Sequence, residues 1–154
     1  MKTFYSILLV LLLTSCATIQ MVTTPKQDGI IETRGTKDEL YIKANQWMVK
    51  TFNNAKSVIQ FQDKEAGKIM GKYLMNSITW GGGLYASNSS DVYSLITISV
   101  KDNATKIEIE PTNEWKYDKS GVTILNYSSE KAQDDIKKLI EDYKKFMTTS
   151  KETW

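Results

Sequence analysis

The stretch VYSLITISVKDNATKIEIE, residues 92–110, alternates apolar and polar side chains on both sides of a short polar turn. Successive side chains of a strand point to opposite faces, so such alternation predicts strands with one buried face. The Asp102–Thr105 turn joins the two halves into an antiparallel hairpin. The predicted inward positions are Val92, Ile96, Ile98, Val100, Ile107 and Ile109.

Two amphipathic helices are predicted on either side of this hairpin along the chain. Thr36 and Glu39 have capping-box spacing and predict a helix over residues 37–53. A second helix is predicted over residues 129–147, with Ser128 and Ser129 as candidate caps. The apolar faces carry Leu40, Ala44, Trp47, Met48 and Phe52 in the first helix, and Ala132, Ile136, Leu139, Ile140, Tyr143 and Met147 in the second.

The rest of the chain adds strands to the hairpin. Further strands are predicted at residues 29–33, 57–62, 68–80 and 121–127. The order β-α-β-β-β-β-β-α predicts an α+β domain, in which two helices cover one face of an antiparallel sheet of about five to six strands.

Two segments near the first helix carry a family resemblance. ELYIKANQWMVKTF (residues 39–52) and AKSVIQFQDKEAGKIMGK (residues 55–72) resemble the opening of the bacterial domain of unknown function 4468. This family has a TATA-binding-protein-like (TBP-like) fold and occurs in exported proteins and lipoproteins. The resemblance implies that fold and no activity. A fold label alone does not indicate DNA binding, because function resides in sites.

The N-terminus predicts export and lipidation. Lys2 precedes an apolar run from Phe4 to Leu13, interrupted by Ser6, which is too short to span a bilayer and is typical of a signal peptide over residues 1–15. Leu13 to Cys16 (LTSC) resembles the bacterial lipobox, whose cysteine receives acyl chains. The alternative is that Cys16 is an incidental residue of an ordinary signal peptide or a small buried hydrophobe.

The segment after Cys16 predicts how the domain is attached. ATIQMVTTPK, residues 17–26, has no helical period and no acidic residue and contains a proline, so residues 16–28 are expected to form a flexible tether before a single domain over residues 29–154. Under the sorting rules of bacterial lipoproteins, Ala17 in place of aspartate suggests the outer membrane, with the domain facing the periplasm.

Composition limits the chemistry of the protein. There are 20 basic and 18 acidic residues without a basic cluster, so no nucleic-acid partner is expected. The absence of histidine and the single cysteine exclude Ser/His/Asp and Cys/His catalysis and histidine-ligated metals, and neither cofactor nor metal is expected. Glu108 and Glu110, about 7 Å apart along one strand face, leave a histidine-independent hydrolase or lyase as the alternative function. A solvated sheet face has the same pattern.

Five aromatic residues are candidate partner contacts: Trp80, Tyr85, Tyr93, Trp115 and Tyr117. Trp80 and Tyr85 lie on either side of the three glycines in the loop WGGGLYASNSSD, residues 80–91, and Trp115 and Tyr117 lie in the polar segment PTNEWKYDKSG. The alternative is that they anchor ordinary loops. We expect a non-catalytic binding or assembly module, held on the membrane through Cys16, that contacts an envelope protein, peptide or polymer.

Overall fold

A computed structural model of the chain describes residues 20–80, 88–112, 114–117 and 127–149. A five-stranded antiparallel sheet has the order β2-β6-β5-β4-β3, and β1 pairs with β7 in a separate two-stranded sheet. No helix in the described ranges is long and apolar enough to cross a membrane. The elements are β1 (Gln20–Thr23), β2 (Gln27–Glu32), α1 (Lys37–Thr51), α2 (Ala55–Val58), β3 (Ile59–Asp63), β4 (Lys68–Trp80), β5 (Asn88–Lys101), β6 (Ala104–Pro111), β7 (Glu114–Tyr117) and α3 (Ser129–Thr148).

The hairpin predicted from residues 92–110 forms the centre of the sheet. Ile98 lies opposite Ile107, and Ile96 lies opposite Ile109, so the inward positions of both strands meet in one layer. All four of these side chains are buried. The tight turn places Asn103 at φ 60°, a left-handed conformation that asparagine tolerates better than most residues.

Both predicted helices are confirmed, with their caps. The Thr36 side chain accepts a hydrogen bond from the backbone N–H of Glu39, and the Glu39 carboxylate accepts one from the backbone N–H of Thr36. At the start of α3, the Ser128 hydroxyl accepts a hydrogen bond from the Lys131 backbone at 3.1 Å. Helix α1 ends two residues earlier than predicted, because Phe52 is already extended.

The two long helices pack side by side on the inward face of the sheet. The Trp47 ring of α1 contacts the Tyr143 ring of α3 edge to face at 4.8 Å between centroids. The Trp47 indole N–H donates to Asp142 Oδ2 at 2.8 Å, so the buried ring keeps a partner for its polar atom. The predicted architecture, an α+β domain with two helices on one face of an antiparallel sheet, is therefore confirmed.

Several strand boundaries differ from the sequence prediction. Residues 20–28 were expected in the flexible tether, but Gln20–Thr23 pairs with β7, and Gln27 and Asp28 belong to β2. These residues form strands because their backbones pair with β7 and β6. The partner strands come from residues far along the chain, so the local sequence does not reveal the pairing. The strand predicted from residue 57 begins at Ile59, because Ala55–Val58 forms a helical turn. The strand predicted at residues 121–127 lies outside the described residues except for its last position.

Candidate functional site

The outward face of the central sheet is the candidate functional site, and we call it the open face. Its positions follow from the register: Tyr93, Leu95 and Thr97 of β5 alternate with the buried Ile96 and Ile98. The long helices α1 and α3 cover the opposite face, and no helix in the described part of the chain covers this one.

An apolar patch crosses the open face on β3, β4 and β5. Phe61 lies opposite Met70, and Leu74 lies opposite Tyr93 in the strand pairing. Phe61 is 49% exposed, Leu74 48% and Leu95 36%. Contiguous exposed apolar side chains are unusual on a monomer and mark interaction surfaces. We define the open-face patch as Phe61, Met70, Leu74, Tyr93 and Leu95.

The Tyr93 ring is fixed by polar contacts at the margin of this patch. Its hydroxyl donates to Asp91 Oδ2 at 3.1 Å, and the Ser77 hydroxyl donates to the other carboxylate oxygen at 2.7 Å. The Lys72 Nζ atom lies 4.5 Å from the ring centroid, within the range of a cation–π contact. The hydrogen bond to Asp91 raises the pKa of Tyr93 above its usual 10.0.

An ion-pair cluster borders the open face where β2 meets β6. Glu108 Oε1 lies 2.9 Å from Lys26 Nζ and 3.1 Å from Lys106 Nζ, and Lys106 also contacts Asp28 Oδ2 at 3.1 Å. Hydrogen bonds from Lys26 and Lys106 lower the pKa of Glu108 below its usual 4.5. A general acid of the glycosidase type requires a raised pKa. The geometry at Glu108 therefore suits a structural ion pair.

The predicted contact residues fall in different parts of the molecule. Tyr93 lies in the open-face patch. Trp80 is the last residue of β4, with its backbone opposite Asn88. Trp115 and Tyr117 belong to β7, opposite Val22 and Gln20 of β1. Tyr85 lies outside the described residues.

Sequence reasoning missed four members of the patch, namely Phe61, Met70, Leu74 and Leu95. A signal was present in β4, where Met70 and Leu74 follow the inward Ile69 and Tyr73, so both faces of the strand carry apolar residues. Strands that are apolar on both faces are typical of sheets with both faces covered. Here one of the two faces is exposed.

A second apolar surface lies between α1 and β3. A shallow groove of about 700 Å³ is lined by residues that include Ile42, Val49 and Lys64, and Ile42 and Val49 are 53% and 62% exposed. The Gln62 side chain donates a hydrogen bond to the Asn45 side chain, and both residues line this groove. Among the residues that the structure describes, no three acidic or cysteine side chains are grouped to hold a metal ion.

The antiparallel sheet, with two long helices on one face and an open second face, defines the protein as an α+β domain of the TBP-like class. The chain belongs to the family described as domain of unknown function (DUF4468) with TBP-like fold, whose model matches residues 30–115. No functionally curated protein matches the chain.

Two crystal structures show the same fold. A DUF4468 family protein from Bacteroides ovatus is 16% identical, with a TM-score of 0.57, and the match covers 84% of this chain and 89% of the other. A TBP-like protein from Parabacteroides distasonis is 15% identical, with a TM-score of 0.51, and the match covers 79% of this chain and 91% of the other. At these identities the similarity establishes the fold alone.

Proposed function

We propose that this protein is an exported lipoprotein whose domain binds another protein through the open-face patch, without catalysis. The exposed apolar side chains of Phe61, Leu74 and Leu95 carry the proposal, because each would lose unfavourable contact with water on binding. Full burial of an exposed side chain of this size is worth roughly 1.5–3 kcal/mol, and because these three are already about half buried, each would gain about half of that on binding.

The surroundings of the patch indicate the chemistry of the partner. Lys68 and Lys72 are exposed and stand on the same face of β4 as Met70 and Leu74. A protein segment with apolar anchors and acidic side chains would complement this surface, because its carboxylates would meet the two lysines at the rim. On the far side of the open face, Lys106 is already paired with Asp28 and Glu108.

The proposal of a binding module without catalysis rests on the side chains available. The chain contains no histidine, and the Glu108 carboxylate that the sequence offered as a catalytic group is held by Lys26 and Lys106. The balanced charge of the chain argues against nucleic-acid binding, which depends largely on basic side chains that contact phosphates.

The proposed location rests on the sequence around Cys16. We propose that acyl chains on this residue anchor the protein in the outer membrane, with the domain in the periplasm. Two or three acyl chains, at about 0.8 kcal/mol per buried methylene, give stable anchoring. Labelling cells with an alkyne analogue of palmitate should modify the wild type and leave Cys16→Ala unlabelled. Equal labelling of both proteins would contradict lipidation at this residue.

In-cell photocrosslinking tests the binding surface. A photoreactive amino acid at Leu95 should give a discrete protein adduct, whereas the same group at Glu141, on the exposed side of α3, should not. Phe61→Glu in the Leu95 photoprobe should reduce the adduct about tenfold, which corresponds to a loss of about 1.4 kcal/mol. Identical adducts from Leu95 and Glu141, or an adduct insensitive to Phe61→Glu, would show that the open face is not the binding surface.

A further inference from the structure

Two pairs of strands extend from the same end of the sheet. Beyond the last pairing of β5 with β6, at Ser94 and Pro111, β4 and β5 continue as a ribbon to Trp80 and Asn88. Six further residues of β5 and seven of β4, at about 3.3 Å per residue, make this ribbon roughly 20 Å long. It points away from the β5–β6 turn at residues 102–103.

The strand that follows Cys16 leads to that same end. Gln27 lies opposite Ile109 in the β2–β6 pairing, and Thr23 lies opposite Glu114 in the β1–β7 pairing. The β1–β7 pair therefore continues the β2–β6 pair, also away from the turn at residues 102–103. We call the end of the sheet marked by Gln20, Trp80 and Asn88 the distal end.

The chain is fastened to the domain close to the distal end. The Thr24 and Ser129 hydroxyls share a buried hydrogen bond of 2.8 Å, which ties the residue after β1 to the start of α3. Lys26 is tied to Glu108 at 2.9 Å. Only four residue steps separate Cys16 from Gln20, a reach of at most about 14 Å. A lipid on Cys16 would therefore hold the distal end next to the bilayer.

The distal end also has the composition of a membrane-contacting surface. Within the described part of the distal end, no charged residue occurs from Tyr73 to Trp80, from Asn88 to Ser90 or from Gln20 to Pro25, whereas the whole chain is 25% charged. Tryptophan is enriched at the membrane–water interface, and uncharged groups enter it at low desolvation cost. Glu114 and Lys116 of β7 are the charged residues of the strand that pairs with β1, and headgroups accommodate such side chains.

We propose that the distal end of the sheet rests against the phospholipid headgroups. The strands then run roughly perpendicular to the membrane plane, and the open face points sideways into the periplasm. This proposal rests on the lipid anchor of the proposed function. The strands β1, β4 and β5 supply the contact, and the partner is a phospholipid surface. The end that carries the β5–β6 turn then lies farthest from the membrane.

Site-directed labelling of the full lipidated protein tests this orientation. A single introduced cysteine remains free for an environment-sensitive fluorophore, because acylation consumes Cys16. Labels at Thr79→Cys and Ser89→Cys mark the distal end, and Lys101→Cys is the control at the opposite end, roughly 40 Å away along the strands. The proteins are reconstituted in vesicles of phosphatidylethanolamine and phosphatidylglycerol that contain a headgroup-region nitroxide lipid.

The expected result is a blue-shifted emission and a loss of fluorescence to the nitroxide at Thr79→Cys and Ser89→Cys, with neither change at Lys101→Cys. Mass spectrometry of the same samples reports acylation of Cys16. Acylated protein in which all three labels are quenched equally, or in which Lys101→Cys is quenched most, would overturn the orientation and leave the anchor intact. An unacylated Cys16 would overturn the anchor and the orientation together.

Discussion

Loss of the hydrogen bond between Thr24 and Ser129 tests whether residues 20–26, which follow the lipid anchor, are part of the folded domain. Thr24→Val keeps the shape of the side chain and removes its hydroxyl, which is 2.8 Å from Ser129 Oγ. Both residues are buried, at 2% and 3% exposure. Removal of one partner from a buried hydrogen bond costs about 1–2 kcal/mol, because the remaining polar group is partly unsatisfied. We expect that loss in the free energy of unfolding.

Urea unfolding of a soluble form with Cys16→Ser, starting at residue 16, measures this loss. With a denaturant slope of roughly 2 kcal/mol per molar urea, the midpoint should fall by about 0.5–1 M. Thr97→Val is the matched control, because its hydroxyl lies on the open face without a hydrogen-bond partner among the described residues. The control should leave the midpoint nearly unchanged or raise it slightly.

The double variant separates a hydrogen bond from a packing effect. Thr24→Val with Ser129→Ala removes both hydroxyls, so its destabilisation should be smaller than the sum of the two single effects by about 1 kcal/mol. If Thr24→Val leaves the midpoint unchanged, or if the two effects simply add, residues 20–26 are not fastened to the domain in the way described. The short connection between Cys16 and the folded domain, on which the proposed membrane orientation depends, would then be wrong.

Three further changes test the core, a turn and the ion pairs. Tyr143→Phe should cost only about 1 kcal/mol in thermal or urea unfolding, because Thr105 keeps its hydrogen bond to Ser99, whereas Tyr143→Ala should cost about 3–5 kcal/mol. Gly67→Ala should destabilise by at least about 1–2 kcal/mol, since φ is +64° and the new Cβ would lie 2.5 Å from Val100 O; a neutral effect would refute the left-handed turn. Glu108→Gln should reduce stability at pH 7. Because the folded-state pKa of Glu108 is lowered, this difference should shrink as the pH falls below about 4.5, and a difference independent of pH would contradict the ion pairs.

The candidate site was only partly predictable. The open face itself followed from the alternation in β5 and β6, and Tyr93 was correctly placed on it. Phe61 and Leu74 were not recognised as its apolar members, because their proximity depends on the pairing of β3 with β4 and of β4 with β5. That pairing includes a bulge between Leu74 and Asn76, which no local pattern in the sequence marks.

The sequence by itself determined the two long helices and the central β5–β6 hairpin, with the buried face of each one. The signals that predicted them act within a few residues: the Thr36–Glu39 capping box, the Ser128 cap and the alternation of residues 92–110. The spacing at which side chains return to the same face of a helix or strand follows from backbone geometry. These signals are local, so they were readable before any tertiary contact was known.

Only the tertiary structure decided which distant residues meet. Thr24 forms a hydrogen bond with Ser129, which is 105 residues away in the sequence, and Lys26 forms one with Glu108, which is 82 residues away. Such contacts depend on the register of whole strands, and a shift of one residue would turn every side chain of a strand to the other face. Register is set by the packing of the complete core, which is why the fastening of residues 20–28 and the composition of the open-face patch emerged only from the fold.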